Sequence, residues 1–191
     1  MADKLNRRDF VKAAGATAGL AVGLGAAREG ASAEPKPTGP AVKGSRAKPV
    51  VVSSANGHKY TNGGAKTCVE TAFELMTSGS DVLEALIAGV NIVELDPLDD
   101  SVGYGGLPNA DGVVQLDSCC MHGPLKRAGG VACLEGVRTP SKVAHNIMQM
   151  TDHHLLVGRD AQAFAQQLGF TIEADLNTEN SRRKWLEWKR R

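Results

Sequence analysis

The chain has 191 residues, and its 22 Lys and Arg against 21 Asp and Glu leave a formal net charge of +1. Such a balanced charge argues against nucleic-acid binding, because a basic surface is what neutralises phosphates. The length fits one globular domain of about 100–200 residues. The 22 glycines favour an α/β chain rich in turns over a helical bundle.

Residues 1–33 are predicted to be an export signal. A twin-arginine motif is indicated by Arg7, Arg8, Phe10 and Lys12. The uncharged stretch over residues 13–27 is shorter than the roughly 20 apolar residues that span a membrane. An A-x-A pattern ends at Ala33, after which cleavage is expected; an anchor helix or a disordered leader is the alternative. We therefore expect a periplasmic, extracytoplasmic protein delivered by twin-arginine export.

Residues 34–48 are rich in Pro, Gly, Lys and Ala and are predicted to be a flexible linker. The domain is therefore expected over residues 49–191. It opens with a β-branched run at residues 50–52, typical of a buried strand. A helix around residues 69–76 follows and ends at Gly79.

A second helix is predicted to begin at Asp81, which with Glu84 has the spacing of a capping box. The later elements are predicted as strands around residues 113–116 and 131–133, a helix from Thr139 to residue 150, a strand at 155–157, and helices at 161–168 and from Thr178. This order favours the α/β (α+β) class, with antiparallel pairing where two strands adjoin.

A glycine-rich loop, residues 101–108, is the first place where chemistry could occur. Its G-x-G-G core lies after a helix and before a strand, whereas a dinucleotide fingerprint lies between a strand and a helix. The chain also lacks a phosphate-cradling G-K-[ST] sequence. The loop is therefore either a tight structural corner or a site where backbone approaches another group closely.

The cysteines and histidines suggest a second possibility. An exported protein can form disulfides, and Cys119 or Cys120 could pair with Cys133, although four small buried residues are the favoured interpretation. No metal site is predicted, because no zinc-type ligand spacing is present, although Cys120 and His122 could have distant partners. A non-catalytic exported Cys/His metal- or redox-binding module therefore stays open as an alternative function.

The last ten residues carry six basic side chains interleaved with Trp185 and Trp188. Basic and aromatic residues together can bind single-stranded nucleic acid by stacking. A helix with tryptophans inward and Lys and Arg outward is the favoured interpretation, so no nucleic-acid partner is predicted.

Taken in order, residues 50–188 resemble the large subunit of glycosylasparaginases, in the asparaginase/isoaspartyl-peptidase branch of the N-terminal-nucleophile hydrolases. The most specific motif is S-V-G-Y-G-G-L-P, beginning at Ser101, and a T-x-H-x-L-L-V-G run beginning at Thr151 supports it. Further matching pieces are Gly79 with residues 81–85, Asp96-Pro97, Asp111-Gly112, Leu116-Asp117, Met121, Gly130-Val131-Ala132, Thr139-Pro140, Ala161, Phe164-Ala165 and Gly169-Phe170.

The resemblance implies an enzyme that needs no cofactor and hydrolyses the amide bond of a glycosylated asparagine, or of a small asparaginyl or isoaspartyl substrate. In that family a precursor cleaves itself before a Thr, whose free α-amine then serves as base for its own hydroxyl. The implied fold is the four-layer αββα sandwich of N-terminal-nucleophile hydrolases. This chain alone would form an incomplete αββα sandwich.

Two departures from the family pattern affect these expectations. A Trp usually follows the first strand of the family, whereas here the run is Ser53-Ser54-Ala55-Asn56-Gly57, which puts the substrate in doubt. No His-Asp-Thr or Gly-Asp-Thr occurs in the chain. We therefore expect the nucleophile in a small-subunit partner from the same precursor, an (αβ)2 hetero-oligomer when complete, and an inactive chain when alone.

The resemblance also assigns site residues. It places Ser101 in the active-site wall, and it predicts that the backbone of Gly103, Gly105 and Gly106 approaches the substrate. Asn56 and Asp117 are weaker substrate-binding candidates.

Overall fold

The computed structural model describes residues 48–191. The predicted export signal with Arg7, Arg8 and Ala33, and the linker up to residue 47, lie outside the described residues. Among residues 48–191, no helix has the length and apolar character needed to cross a membrane.

Five α-helices and three strands make up the described region. The helices are α1 (Cys68–Thr77), α2 (Val82–Leu95), α3 (Pro140–Met150), α4 (Gly158–Gln167) and α5 (Glu179–Lys189). The strands are β1 (Leu116–His122), β2 (Arg127–Leu134) and β3 (Leu156–Val157), and a 3-10 turn spans Ala55–His58. Apart from the first element, the observed order is the predicted one, but β1 begins only at Leu116, where the strand predicted around residues 113–116 was expected to end. The α/β class is confirmed.

The helix starts follow the local chemistry. The Asp81 carboxylate accepts from the N–H groups of Leu83 at 2.9 Å and Glu84 at 3.2 Å, so it caps α2 as predicted. Thr178 caps α5 through a reciprocal pair of hydrogen bonds with Ser181. At α3, Pro140 occupies the first turn, but the Thr139 side chain makes no capping bond.

The sheet has the order β1-β2-β3. β1 and β2 form an antiparallel hairpin, as the adjacent strands predicted, and β3 pairs parallel to β2 after the α3 crossover. The hairpin contains a bulge, because Leu116 faces Leu134 whereas Ser118 faces Val131.

The core lies on one face of the sheet, against the helices. One cluster joins Val131 and Leu134 of β2 to apolar residues of α3 and α4, and a second joins Cys120 of β1 to α2 and α3. Successive side chains of a strand point to opposite faces. The other face of β1 therefore presents Asp117, Cys119 and Met121, all of which are exposed. Within residues 48–191, the helices thus cover one face of this sheet and leave these side chains exposed.

Three local predictions are wrong. Residues 50–52 form no strand, and Val52 is 87% exposed, because a strand also needs a hydrogen-bonded neighbour that a β-branched pattern cannot supply. All four cysteines are free, but only Cys68 and Cys120 are buried; strand alternation exposes Cys119, and Cys133 lies in the bulge.

The third wrong prediction concerns the last helix. Trp185 is half-buried: its ring packs over Gly112 and its Nε1 donates to the carbonyl of Ala110 at 3.4 Å. Trp188 is 56% exposed, so it does not pack inward. Trp188 instead lines an open surface hollow with Leu107, Pro108 and Ala110, which leaves much of its indole exposed.

Candidate active site

Ser101 lies exposed at the start of the glycine-rich loop, between α2 and β1. Its Oγ donates to the Asp99 carboxylate, at 2.7 Å to Oδ2 and 3.0 Å to Oδ1. The same Oγ accepts from Asn56 Nδ2 at 3.0 Å, across 45 positions of sequence. The Ser54 hydroxyl in turn donates to Asn56 Oδ1. The structure therefore brings together two of the predicted site residues, Ser101 and Asn56, in one directed chain of hydrogen bonds.

Asp99 is the final acceptor in this chain of hydrogen bonds. Its side chain is almost fully buried, and its Oδ2 also accepts from the backbone N–H groups of Ser101 at 3.0 Å and Val102 at 3.1 Å. Such an Asx-type turn fixes the backbone locally. The carboxylate thus sets both the entry of the loop and the direction of the Ser101 hydroxyl.

The three loop glycines lie where other parts of the chain crowd the place of a side chain. A Cβ on Gly103 would lie 2.1 Å from the carbonyl oxygen of Glu94 and one on Gly105 2.8 Å from Thr178 Cγ2, and both residues have positive φ. A Cβ on Gly106 would lie 3.2 Å from Leu116 Cδ2. Packing and positive φ account for glycine at Gly103 and Gly105, whereas the space at Gly106 is only tight. Contact of the three glycines with substrate stays a prediction.

Glu94 ties this loop to two helices. Its carbonyl accepts from the N–H of Tyr104 at 2.7 Å, which satisfies one of the last carbonyls of α2. Its buried carboxylate accepts from Ser141 in the first turn of α3 and from Asn91 Nδ2 at 2.6 Å. Burial raises the pKa of the Glu94 carboxyl, while these hydrogen bonds and Lys142 oppose the shift.

The loop is also held to the last helix. The Asp100 carboxylate forms an ion pair with Lys184 and accepts from Asn180 Nδ2 at 3.0 Å. The hydrogen bond with Lys184 is the main reason that the pKa of Asp100 lies below its ordinary value. The Tyr104 ring lies beneath the Arg138 guanidinium, 3.8 Å from the ring centroid. Loop residues on both sides of Ser101 are therefore fixed by the surrounding elements.

Asp117 has a structural partner in the hairpin. Its Oδ1 accepts from the N–H of Cys133 at 2.8 Å, at the bulge where Cys133 has a φ of +50°. No hydrogen bond connects Asp117 to Ser101 or Asn56. The substrate role of Asp117 stays a prediction, and the bulge accounts for the carboxylate without it.

His122 is buried and hydrogen-bonds through both of its ring nitrogens. Its Nδ1 accepts from the N–H of Leu125 at 3.1 Å, so its Nε2 carries the hydrogen that bonds Asp81 Oδ2 at 2.8 Å. This bond is the first cause of the lowered pKa of Asp81. Within residues 48–191, no three His, Cys, Asp or Glu side chains are grouped so as to hold a metal ion. His122 therefore supports the cap of α2.

The family match covers the region that builds this loop. Residues 41–191 match the asparaginase family. This chain belongs to the asparaginase family. That membership confirms the resemblance first indicated by the S-V-G-Y-G-G-L-P motif.

Three curated relatives bear on the branch of the asparaginase family. An N(4)-(beta-N-acetylglucosaminyl)-L-asparaginase of Elizabethkingia miricola is 40% identical, over 96% of this chain and 49% of the relative. The mouse protein of that name is 34% identical, over 78% of this chain and 40% of the relative. A plant-type L-asparaginase of Pyrococcus furiosus is 37% identical, over 67% of this chain and 41% of its own length. The chain thus spans about half the length of the curated relatives it matches.

Sequence reasoning missed Asp99 and Glu94. Asp99 stands two residues before Ser101, which is the spacing of an Asx turn and could have indicated its contact. Glu94 had no such signal, because its partner Ser141 is 47 residues away. Only the packing of α2 against α3 brings these two together.

Proposed function

We propose that this chain supplies the N-terminal part of an exported amide hydrolase of the asparaginase family. Its substrate would be an asparagine whose side-chain nitrogen carries a sugar, with L-asparagine or an isoaspartyl peptide as the competing substrates. The observation that carries the proposal is the series of hydrogen bonds from Asn56 through Ser101 to Asp99. These bonds hold Ser101 Oγ at the start of the family's glycine-rich loop. The names of the Elizabethkingia and mouse relatives favour the sugar-linked substrate over plain asparagine.

The proposed chemistry needs a nucleophile from another part of the precursor. After self-cleavage a new N-terminal Thr would attack the amide carbon, and its free α-amine, with a pKa of about 8, would take the hydroxyl proton. The sugar amine leaves, and water then releases aspartate from the Thr ester. Ser101 contributes a fixed hydroxyl beside this reaction, and no cofactor takes part.

The open sheet face supports the finer fold proposal. The exposed side of the sheet carries Met121 of β1 and, just before β3, Leu155, whose Cδ1 lies 3.3 Å from the place of a Cβ on Gly130. Apolar side chains on a sheet face are stabilised when a second sheet packs about 10 Å away. We propose that a second sheet, drawn from the small-subunit partner, covers this face and completes the αββα sandwich, which then assembles as (αβ)2.

The test uses the whole protein, which is the protein expressed from its complete reading frame. Self-cleavage is expected as two bands on a denaturing gel, with an N-terminal Thr on the smaller band. Aspartate release is then measured from N4-(β-N-acetylglucosaminyl)-L-asparagine, L-asparagine and an isoaspartyl dipeptide. The highest kcat/KM is expected for the sugar-linked substrate, and absence of amide hydrolysis with all three would overturn the proposal.

The export proposal has its own experiment. Residues 1–48 are fused to a reporter that becomes active only outside the cytoplasm. Activity is expected with Arg7 and Arg8 in place and is expected to disappear when both are replaced by Lys. Unchanged export of the double Lys variant would contradict a twin-arginine route. Fractionation of the whole protein provides the matching measurement.

A further inference from the structure

The Asp99 carboxylate has a specific arrangement of donors. It accepts the Ser101 hydroxyl and the two backbone N–H groups of Ser101 and Val102. Within residues 48–191, no Lys, Arg or His forms an ion pair with it, whereas the neighbouring Asp100 pairs with Lys184. Asp99 is therefore a buried negative charge held by neutral donors directly behind an exposed hydroxyl.

The hydroxyl of Ser101 can form only a limited number of hydrogen bonds. A serine hydroxyl donates one hydrogen and accepts at two lone pairs. The hydrogen goes to Asp99, because a carboxylate accepts only and both of its oxygens lie within 3.0 Å of Oγ. One lone pair takes the Asn56 amide hydrogen. One lone pair remains for a ligand.

We propose that Asp99 is a positioning residue that takes the Ser101 hydroxyl hydrogen, so that Ser101 Oγ meets its ligand only as a hydrogen-bond acceptor. The group selected is an N–H donor, and the unpaired charge of Asp99 favours an ammonium over a neutral amide. A carbonyl or carboxylate oxygen of the ligand is rejected at this point. This inference rests on the proposed function, since it assigns the polarity of a group in the same site.

The decisive variant is Asp99→Asn. The amide oxygen of Asn still accepts the backbone N–H groups of Ser101 and Val102, so the turn is retained. The new amide N–H group lies where Oδ1 accepted, 3.0 Å from Ser101 Oγ. The hydroxyl hydrogen keeps its acceptor, because the retained amide oxygen takes the place of Oδ2, 2.7 Å from Oγ. The two lone pairs of Oγ are then occupied by two amides, so none remains for the ligand. Ser101 thus loses its acceptor site for the ligand while the backbone is kept.

Two further variants complete the set. Ser101→Ala removes the hydroxyl, and Asp96→Asn is the matched control. Asp96 is as buried as Asp99, and it accepts from the N–H groups of Asn62 at 2.7 Å and Leu98 at 3.0 Å without touching Ser101. Asp96→Asn loses one acceptor and lowers the melting temperature, but kcat/KM of the folded enzyme stays within about twofold.

In the whole protein, Asp99→Asn is expected to lower kcat/KM about tenfold or more, as for losing a hydrogen bond to a charged group. Its melting temperature is expected to stay close to that of the wild type. The double variant with Ser101→Ala should lose no more than Ser101→Ala alone. The inference is overturned if Asp99→Asn stays within twofold of the wild type, or if the losses multiply in the double variant.

A substrate analogue without its α-ammonium group identifies the donor. If the donor belongs to the substrate, the wild type and Asp99→Asn become equal on this analogue, and the loss on the normal substrate lies in KM. If the donor is an amine of the enzyme, the loss lies in kcat, persists on the analogue and shifts the pH profile. Either result supports acceptor polarity. A wild type without amide hydrolysis overturns the proposed function and this inference together, whereas an active wild type with unaffected Asp99→Asn overturns the inference alone.

Discussion

Ser141 donates twice to Glu94: its backbone N–H bonds Oε1 at 3.0 Å and its Oγ bonds Oε2 at 2.7 Å. The two residues join the last turn of α2 to the first turn of α3, where the positive end of the helix dipole favours a carboxylate. The main chain of Glu94 also carries the glycine-rich loop through Tyr104. The loop and α3 therefore both meet α2 at Glu94, the loop at its backbone carbonyl and α3 at its buried carboxylate.

This buried carboxyl predicts a specific pH dependence. Burial raises the pKa of Glu94 above its ordinary value of 4.5. At a pH between 4.5 and the raised pKa of Glu94, the native state then binds more protons than the unfolded state. The contribution of Glu94 to stability is therefore complete below 4.5 and is lost as pH rises through the folded-state pKa.

The variant that checks this is Glu94→Gln, measured by urea unfolding of the whole protein from pH 4 to 7. We expect a loss of about 1–3 kcal/mol in the free energy of unfolding, because an amide offers one acceptor in place of two. We also expect a weaker decline with pH than in the wild type. An equal decline in both proteins would contradict a raised pKa for Glu94.

The close approach of the loop to α2 predicts the effect of Gly103→Ala. The added Cβ would lie 2.1 Å from the carbonyl oxygen of Glu94, at a residue with a φ of +57°. A loss of about 3 kcal/mol or more in the free energy of unfolding is expected, from overpacking together with backbone strain.

The matched control is Gly169→Ala, at the end of α4. Gly169 has a φ of +84° and no atom within 4 Å of its Cβ position. It should cost only the backbone strain, about 1–2 kcal/mol. Equal losses in the two variants would show that packing against Glu94 is unimportant.

The hydrogen bond at the bulge separates two roles of Asp117. Asp117→Asn keeps an oxygen for the N–H of Cys133, so its free energy of unfolding should stay within about 0.5 kcal/mol of the wild type. Asp117→Ala should lose about 0.5–1.5 kcal/mol. If Asp117 serves only to stabilise the bulge, KM of the Asn variant is unchanged. A raised KM at unchanged stability would instead support the substrate contact predicted from the sequence.

The open sheet face predicts how residues 49–191 behave when expressed alone. They should self-associate, because Met121 is 76% exposed on a face with apolar neighbours. Met121→Lys should reduce the association measured by light scattering. In the whole protein the same substitution should impair folding, because the proposed second sheet would pack against this face.

The control for the open face is Leu98→Lys. Leu98 is 74% exposed but lies in the loop after α2, away from the sheet. This variant should change neither the association of residues 49–191 nor the folding of the whole protein. A monomer of residues 49–191 that is soluble and melts cooperatively would contradict the prediction.

Local signals account for the parts of the fold that could be predicted. Asp81 and Thr178 cap helices through atoms two or three residues away, so their roles follow from nearby sequence. The antiparallel hairpin likewise follows from two adjacent apolar runs. That residues 50–52 form no strand could not be predicted in this way, because pairing depends on a partner strand that the run does not encode.

The sequence by itself determined the family and the capped helix starts, and it selected Ser101 as a candidate site residue, because these depend on motif and short-range spacing. The tertiary structure alone decided what surrounds that serine: Asn56 approaches from 45 positions away, and Gly103 packs against Glu94 of the preceding helix. It also decided that Asp117 holds a bulge and that residues 48–191 leave one face of the sheet exposed. The physical reason is that hydrogen-bond direction and burial depend on distant groups that meet only when the helices pack on the sheet.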